Sequence, residues 1–151
     1  MEIKKWLKYD IIPYEILLLA DPDIPTIDRY FFESDVFLLQ DGTYVSGVIC
    51  IKSKEEAAEI MNIAIAPEYQ GHKYGTQLLE HAIHHVTSLH KDQIIIKTAN
   101  SSIQALAFYQ KLGFRMIAII PDFFTKHYPD PIWENGILAQ DQIVLSRLIA
   151  T

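Results

Sequence analysis

The stretch from Glu59 to Leu79 constrains the fold of this chain more than any other. An apolar segment ends at Pro67, a short turn with Gly71 and Gly75 follows, and a helical pattern starts at once. A helix start leaves backbone N–H groups unpaired and carries the positive end of the helix dipole, and glycine lets a ligand approach the backbone closely. The stretch therefore predicts a strand, a turn and a helix in succession, with a site for an anion such as a phosphate ester at the turn.

Apolar patterns along the rest of the chain predict a mixed α/β fold. An Asp-Gly turn signal separates strands at Val36–Gln40 and Tyr44–Ile51, and a third strand at Ala57–Ala66 completes an antiparallel run. The other predicted elements are strands at Lys4–Tyr9, Gln93–Thr98, Phe114–Ile120 and Gln142–Ile149, and helices at Pro13–Ala20, Ile24–Phe32, His72–His90 and Ile103–Leu112. Pro121–Gly136 is expected to be a long loop without regular structure. We expect an α/β (α+β) fold, with a mostly antiparallel sheet and flanking helices, in a single domain over residues 1–151.

Charge and cysteine content limit the partners and the location of this protein. Its 13 Lys and Arg residues and 19 Asp and Glu residues give a formal net charge of −6, so we expect neither nucleic acid nor an anionic membrane as a partner. The single cysteine, Cys50, lies in an apolar run and is expected to be a small buried side chain, not a nucleophile. No apolar run is long enough to span a membrane, and no signal-peptide core follows the first lysines, so we expect a cytoplasmic location.

Two segments follow the pattern of a known family. The first contains the turn QGHKYGT at Gln70–Thr76, and the second is NSSIQALAFYQKLGF at Asn100–Phe114. Together they resemble the GNAT superfamily of acyl-CoA-dependent N-acyltransferases. The family turn reads Gln or Arg, two residues, Gly, one residue, then Gly or Ala. Gln70 and Gly75 occupy its first and last positions, but Lys73 replaces its middle glycine.

The resemblance, which covers about Ala57–Ile120, implies a small stand-alone bacterial N-acetyltransferase with a splayed sheet. It implies acetyl-CoA as co-substrate and no metal, with the strand backbone paired to the pantetheine arm and the turn amides on the pyrophosphate. The implied cofactor-binding residues are Ile63, Ala64, Ile65, Gln70, Gly71, Lys73, Tyr74, Gly75, Thr76 and Asn100. The implied reaction moves an acetyl group directly to an amine of a small molecule or a peptide, and a homodimer is a possible assembly.

Two residues are candidates for the proton transfers of this reaction. An ammonium group is not a nucleophile, so a base must remove a proton, and Glu59 at the start of the strand is the first candidate. Tyr109 matches the family tyrosine that protonates the departing CoA thiolate. Each has a plainer alternative, Glu59 as a surface residue and Tyr109 as a packed core tyrosine. Asn62 could orient a water or bond the backbone, and Asn100 could cap a helix.

Four further interpretations remain open. His81 and His85 have a spacing that suits zinc, but no third ligand is evident, so a solvated helix face is expected. Lys73 stands where a positive φ is costly for lysine, although its side chain could reach a phosphate. This departure leaves room for a non-catalytic acyl-CoA-binding or sensory module of the same fold. A phosphate- or nucleotide-binding protein unrelated to CoA is the second rival.

Overall fold

Four antiparallel strands frame the first of two compact units in this computed structural model, which describes residues 1–149. This unit comprises Met1–Asp92 together with Ile149. Its strands are β1 (Glu2–Lys5), β2 (Asp35–Asp41), β3 (Tyr44–Ser53) and β4 (Ala57–Ile65), each paired antiparallel with the next. Residues 150 and 151, the end of the predicted domain, lie outside the described part of the chain.

Three helices cover the two faces of this sheet. They are α1 (Tyr14–Ala20), α2 (Ile24–Phe31) and α3 (Tyr74–Ser88). The face packed on α1 and α2 contains a buried cluster of Ile16, Leu17, Ile27, Tyr30, Phe31, Val36, Leu38, Val48, Cys50, Ala64 and Ala66. Phe37 alternates with Val36 and Leu38 along β2 and therefore points to the opposite face. There it contacts α3, whose apolar side is buried at Leu78, Leu79, Ala82 and Val86.

A β-bulge interrupts the pairing of β3 with β4. The register passes from Cys50 opposite Asn62 to Lys52 opposite Glu59, so β4 holds one extra residue, Met61. Side chains alternate along a strand, and positions 59 and 62 would face opposite sides without the bulge. With it, Glu59 and Asn62 lie on the same face, because Cys50 and Lys52 are two residues apart in β3.

The second compact unit, Gln93–Leu148, contains a three-stranded antiparallel sheet. Its elements in order are β5 (Gln93–Ala99), α4 (Ile103–Lys111), β6 (Arg115–Ile120), α5 (Phe123–His127), β7 (Trp133–Glu134), β8 (Ile137–Leu138) and β9 (Gln142–Leu148). Strand β9 pairs with both β5 and β6, whereas β7 and β8 form a separate hairpin. All six residues of β6 are exposed, so apolar side chains remain uncovered on both faces of this strand.

The predicted class, mixed α/β with mostly antiparallel strands, is confirmed. Most predicted elements are present with ends displaced by one or two residues. The first strand is displaced further: it spans Glu2–Lys5 and not Lys4–Tyr9, because a turn follows in which Asp10 accepts the Leu7 N–H at 2.7 Å. Within residues 1–149, no helix has the length and apolar character needed to cross a membrane.

The prediction that Pro121–Gly136 lacks regular structure is wrong, because α5 and β7 lie within it. Asn135 and Gly136 form the two-residue turn of the β7–β8 hairpin, with φ of 56° and 71°. A two-residue turn with both φ values positive favours the Asn-Gly pair, so the local sequence did contain a signal for this hairpin.

Candidate functional site

A short turn joins β4 to α3 in the first unit. A 3-10 turn at Pro67–Tyr69 follows β4, and the Gln70 side-chain amide donates a hydrogen bond to the Ile65 carbonyl at 2.9 Å. Gly71 and Lys73 both have a left-handed backbone, with φ of 81° and 64°. The chain thus changes direction over a few residues, and α3 begins directly after this turn.

The backbone N–H groups of residues 71–76 are available to a ligand. Within residues 1–149, none of these six groups donates a hydrogen bond to a protein acceptor. The N–H of Gln77 is the first that does so, to the Lys73 carbonyl at 3.1 Å. Consecutive unpaired amides at the N-terminus of a 15-residue helix create a local positive potential that favours an anion.

Lys73 adopts the conformation that the family pattern assigns to glycine. Its φ of 64° and ψ of 18° lie in the left-handed region, which costs a non-glycine residue about 1–2 kcal/mol. The lysine therefore does not redirect the turn, and the exposed side chain extends from it into solvent. The lysine at this position is therefore compatible with a turn that binds phosphate.

Pairing with β3 divides the backbone groups of β4 into two sets. The Ala66 N–H donates to the Ser46 carbonyl at 2.8 Å, so the alternate residue Ala64 also bonds toward β3. The N–H and C=O groups of Ile63 and Ile65 point away from β3. Three residues of β4 were predicted to contact the pantetheine arm. Ile63 and Ile65 have backbone groups that point away from β3, whereas the backbone groups of Ala64 are used in pairing with β3.

Glu59 is buried in β4, with only 5% of its surface exposed, so its alternative interpretation as a surface residue is wrong. Its Oε1 accepts a hydrogen bond from Lys54 Nζ at 2.6 Å in a salt bridge. Lys52, opposite Glu59 on β3, pairs with Glu33 at 2.7 Å. A buried carboxylate needs a paired charge, and Lys54 supplies one for Glu59.

Asn62 joins β4 to α1 and α2. Its amide nitrogen donates to the Leu17 carbonyl at 3.0 Å and to the Tyr30 hydroxyl at 2.9 Å. Only 4% of Asn62 is exposed, and no described residue donates a hydrogen bond to its Oδ1. The predicted backbone bond is therefore present, and the carbonyl oxygen of the side chain keeps its full capacity as an acceptor.

Tyr109 lies on α4 in the second unit and is buried against Phe108 and Phe114, with ring centroids 5.5 and 6.1 Å away. Burial raises the pKa of its phenol well above the ordinary value, so the phenol keeps its proton. Among the residues that the structure describes, none forms a hydrogen bond with this hydroxyl. The Tyr109 oxygen is not a fully buried unpaired atom, so it stays accessible to solvent or to a ligand.

Asn100 lies just after β5 and forms hydrogen bonds with the segment before β9. Its amide nitrogen donates to the Leu138 carbonyl at 3.1 Å, and its Oδ1 accepts from the N–H groups of Gln140 and Asp141 at 2.8 and 3.0 Å. The N-cap residue of α4 is Ser102, so Asn100 is not the helix cap of its alternative interpretation. One amide N–H of Asn100 is not used by these bonds.

The expectation that the helical histidines form a solvated face is wrong for His81 and His85. Their rings pack edge-on against Phe37, at 4.5 and 5.0 Å between centroids, and His85 Nε2 lies 2.8 Å from an oxygen of Asp35. Burial, followed by repulsion from His85 and then His84, lowers the pKa of His81. Across residues 1–149, no three His, Cys, Asp or Glu side chains are grouped to hold a metal ion.

Comparison with known proteins identifies the family. Residues 6–114 match the model of the Acetyltransferase (GNAT) family. The chain is 41% identical over 133 residues to the uncharacterized N-acetyltransferase YvbK of Bacillus subtilis, covering 87% of this chain and 86% of that protein. The chain therefore belongs to the GNAT family of acetyltransferases.

Solved structures agree with this assignment. A GNAT family acetyltransferase from Elizabethkingia anophelis, with acetyl-CoA bound, has a TM-score of 0.95 and 37% identity, with 97% of each chain covered. An acetyltransferase from Bacillus subtilis in complex with CoA has a TM-score of 0.92 and 36% identity, with 98% of each chain covered. The predicted family and enzyme class, an N-acetyltransferase, are confirmed, and the rival nucleotide-binding protein outside this family is wrong.

Proposed function

We propose that this enzyme binds acetyl-CoA at the turn between β4 and α3 and transfers the acetyl group directly to an amine. The observation that carries the proposal is the row of six unpaired N–H groups at residues 71–76. Such a row suits a pyrophosphate, because each oxygen can accept hydrogen bonds from neighbouring amides. The acetyl-CoA and CoA in the two solved relatives support acetyl-CoA as the co-substrate.

Gly71→Ala tests this site, with Gly42→Ala as its matched control. The two glycines have φ of 81° and 63°, and an added Cβ would meet nothing within 4 Å at either position. Both substitutions therefore carry a similar conformational cost, but only Gly71 lies in the proposed site. Calorimetric titration should show weaker acetyl-CoA binding for Gly71→Ala and unchanged binding for Gly42→Ala. Equal affinities in the two variants would reject the turn as the pyrophosphate site.

In the proposed reaction, Glu59 accepts a proton from the acceptor ammonium group and frees its lone pair. The amine nitrogen then attacks the thioester carbonyl carbon, the C–S bond breaks, and Tyr109 donates its phenolic proton to the departing thiolate. The Tyr109 phenolate then takes the excess proton from the new amide nitrogen, which leaves a neutral amide and a neutral phenol. The burial of both side chains supports these roles, as does the unpartnered hydroxyl of Tyr109. We assign the remaining amide N–H of Asn100 to CoA.

The acceptor that we propose is a primary amine of a small molecule or a peptide, preferably cationic. The net charge of −6 favours cationic acceptors. A thiol-release assay with spermidine, an aminoglycoside and a short peptide tests this class. CoA release at only the background hydrolysis rate with every amine would favour the non-catalytic binding module, while calorimetry reports acetyl-CoA binding independently.

We also propose that the protein is a homodimer joined through β6. Met116, Ile117 and Ile119 are each more than half exposed on this strand, and an uncovered apolar edge strand pairs readily with another chain. Two copies paired antiparallel about a twofold axis would bring Arg115, at one end of β6, toward Asp122, just beyond the other end. We expect Ile119→Lys to convert a dimer into a monomer in light scattering, with Ile11→Lys, at a still more exposed isoleucine outside β6, as the control. A monomeric unaltered protein would reject this assembly.

Residues 1–151 act, in this proposal, as one N-acetyltransferase domain in the cytoplasm, without nucleic-acid or membrane partners. The family match over residues 6–114 and the negative net charge support it. Fractionation of cells that express the native chain would test the location.

A further inference from the structure

We propose that Asn62 is a positioning residue for acetyl transfer, whose Oδ1 holds the water through which the acceptor amine passes its proton to Glu59. This inference rests on the proposed function, because it gives Glu59 the role of base. It adds a residue that the resemblance did not imply, and it assigns that residue a specific hydrogen bond.

The first observation is the orientation of the Asn62 side chain. Both hydrogens of its amide nitrogen are used, one on the Leu17 carbonyl and one on the Tyr30 hydroxyl. The Leu17 carbonyl can only accept, so rotating the amide by half a turn would set two acceptors against each other. The Tyr30 hydroxyl in turn lies 3.4 Å from Asp21 Oδ2 and can donate to it. The oxygen of Asn62 is thus held in one direction by contacts to α1 and α2.

The second observation is that this oxygen is buried and accepts no hydrogen bond from the protein. Asn62 Oδ1 is the one buried side-chain polar atom without a partner among the described residues. Buried acceptors nearly always receive a hydrogen bond, from the protein or from an ordered water, because a buried acceptor without one destabilises the fold. Cys50, opposite Asn62 on β3, contributes only a thiol, which is a weak donor and lies outside hydrogen-bonding range.

The third observation is the bulge at Met61. It places Asn62 on the same face of β4 as Glu59, opposite Cys50 and Lys52 of β3. The backbones of adjacent positions on one face of a strand are roughly 7 Å apart, and two side-chain oxygens that lean toward each other from such positions can share one water. Without the bulge, Glu59 and Asn62 would face opposite sides of the sheet. The bulge therefore brings a buried carboxylate and an unpaired carbonyl oxygen together.

These features define a proton path with a fixed direction. The acceptor ammonium gives one proton to the water, and the water gives one proton to the Glu59 carboxylate, so the amine keeps the electron pair that attacks the thioester. Asn62 Oδ1 accepts the other O–H of this water and keeps it in place. Lys54 holds one oxygen of Glu59 at 2.6 Å and fixes the carboxylate at the receiving end.

A crystal structure of the full chain with CoA, at a resolution that shows ordered water, is the first test. We expect a water within about 3.2 Å of Asn62 Oδ1 and within hydrogen-bonding distance of Glu59. Three results would overturn the proposal: no donor near Oδ1, a rotated amide whose oxygen faces Tyr30, or a hydrogen bond from the Cys50 thiol. This test needs no acceptor, so it still decides the proposal if no amine is acetylated and the proposed function fails.

Kinetics with the best amine of the panel provide the second test. Asn62→Leu removes the acceptor oxygen and should lower kcat at least tenfold with an unchanged KM for acetyl-CoA. Asn62→Gln keeps both the amide donor and the carbonyl oxygen and should retain more activity than Asn62→Leu. Tyr30→Phe is the matched control, because it removes one of the two acceptors that the Asn62 amide nitrogen contacts but leaves the Asn62 Oδ1 atom in place. Equal losses in Asn62→Leu and Tyr30→Phe, or no rescue by Asn62→Gln in a folded variant, would mean that Asn62 only links the strand to the two helices.

Discussion

Lys73→Gly is the substitution that most directly tests how the turn before α3 is built. Lys73 has a φ of 64°, a conformation that costs a non-glycine residue about 1–2 kcal/mol. Glycine removes this cost but loses about 0.5–1 kcal/mol more conformational entropy on folding. The difference is a gain of roughly 0.7 kcal/mol in the free energy of unfolding, which raises the Tm of a chain this long by about 1–3 °C.

Two further variants separate the backbone from the charge. Lys73→Ala removes the lysine charge but keeps a Cβ, so it should not gain stability. His90→Gly is a matched control for the backbone, because His90 follows the other end of α3 with a φ of 58°. It should stabilise the protein by a similar amount and leave CoA binding unchanged. Both substitutions at Lys73 should weaken CoA binding by the same factor, up to about fivefold, if the lysine side chain contacts a phosphate.

Urea unfolding without ligand and calorimetric titration with CoA measure the two effects separately. If Lys73→Gly is no more stable than Lys73→Ala, the left-handed conformation of this residue does not determine the energy of the turn. If both variants bind CoA as tightly as the unaltered protein, the lysine charge makes no contribution to phosphate binding.

Four other substitutions or treatments test single groups. Tyr109→Phe should lower turnover at least tenfold in the thiol-release assay with little change in acetyl-CoA affinity, and equal turnover would reject its role as the acid. Glu59→Gln should lower activity most at low pH, where free amine is scarce, so an unchanged pH–rate profile would contradict its role as the base. Burial raises the pKa of the Cys50 thiol, so alkylation at pH 8–9 should be far slower in the native protein than in urea, and equal rates would show an accessible thiol. Because the pKa of His81 is lowered on folding, the unfolded chain binds more protons and stability should fall as the pH drops below about 6.5. His81→Leu should reduce that fall, as urea unfolding between pH 7 and 5 would show.

Local sequence patterns predicted much of the fold. The Asp-Gly turn between β2 and β3 and the apolar periodicity of α3 depend on residues close together in the chain, and both elements are present. The two wrong predictions, the bounds of β1 and the loop at Pro121–Gly136, also have local explanations. The Asn135-Gly136 turn was a recognisable signal, whereas the early end of β1 depends on the turn that Asp10 closes.

The partners of individual side chains could not be predicted in this way. Glu59 was assigned to one strand with either a surface or a catalytic role, but its burial and its bond to Lys54 depend on how β4 packs. The Met61 bulge depends on the register of two strands, and no residue type in β4 indicates that a bulge is present. Asn62 meets Leu17 and Tyr30, which lie 45 and 32 residues away in the chain.

The sequence by itself determined the family and the place of the proposed anion site, because glycines, a strand end and a helix start act over a few neighbouring residues. Only the tertiary structure decided that Lys73 takes the left-handed conformation and that residues 71–76 keep their N–H groups unpaired. It also decided which face of β4 carries Glu59 and Asn62. These outcomes depend on packing between distant segments, where register, burial and hydrogen-bond partners are selected together.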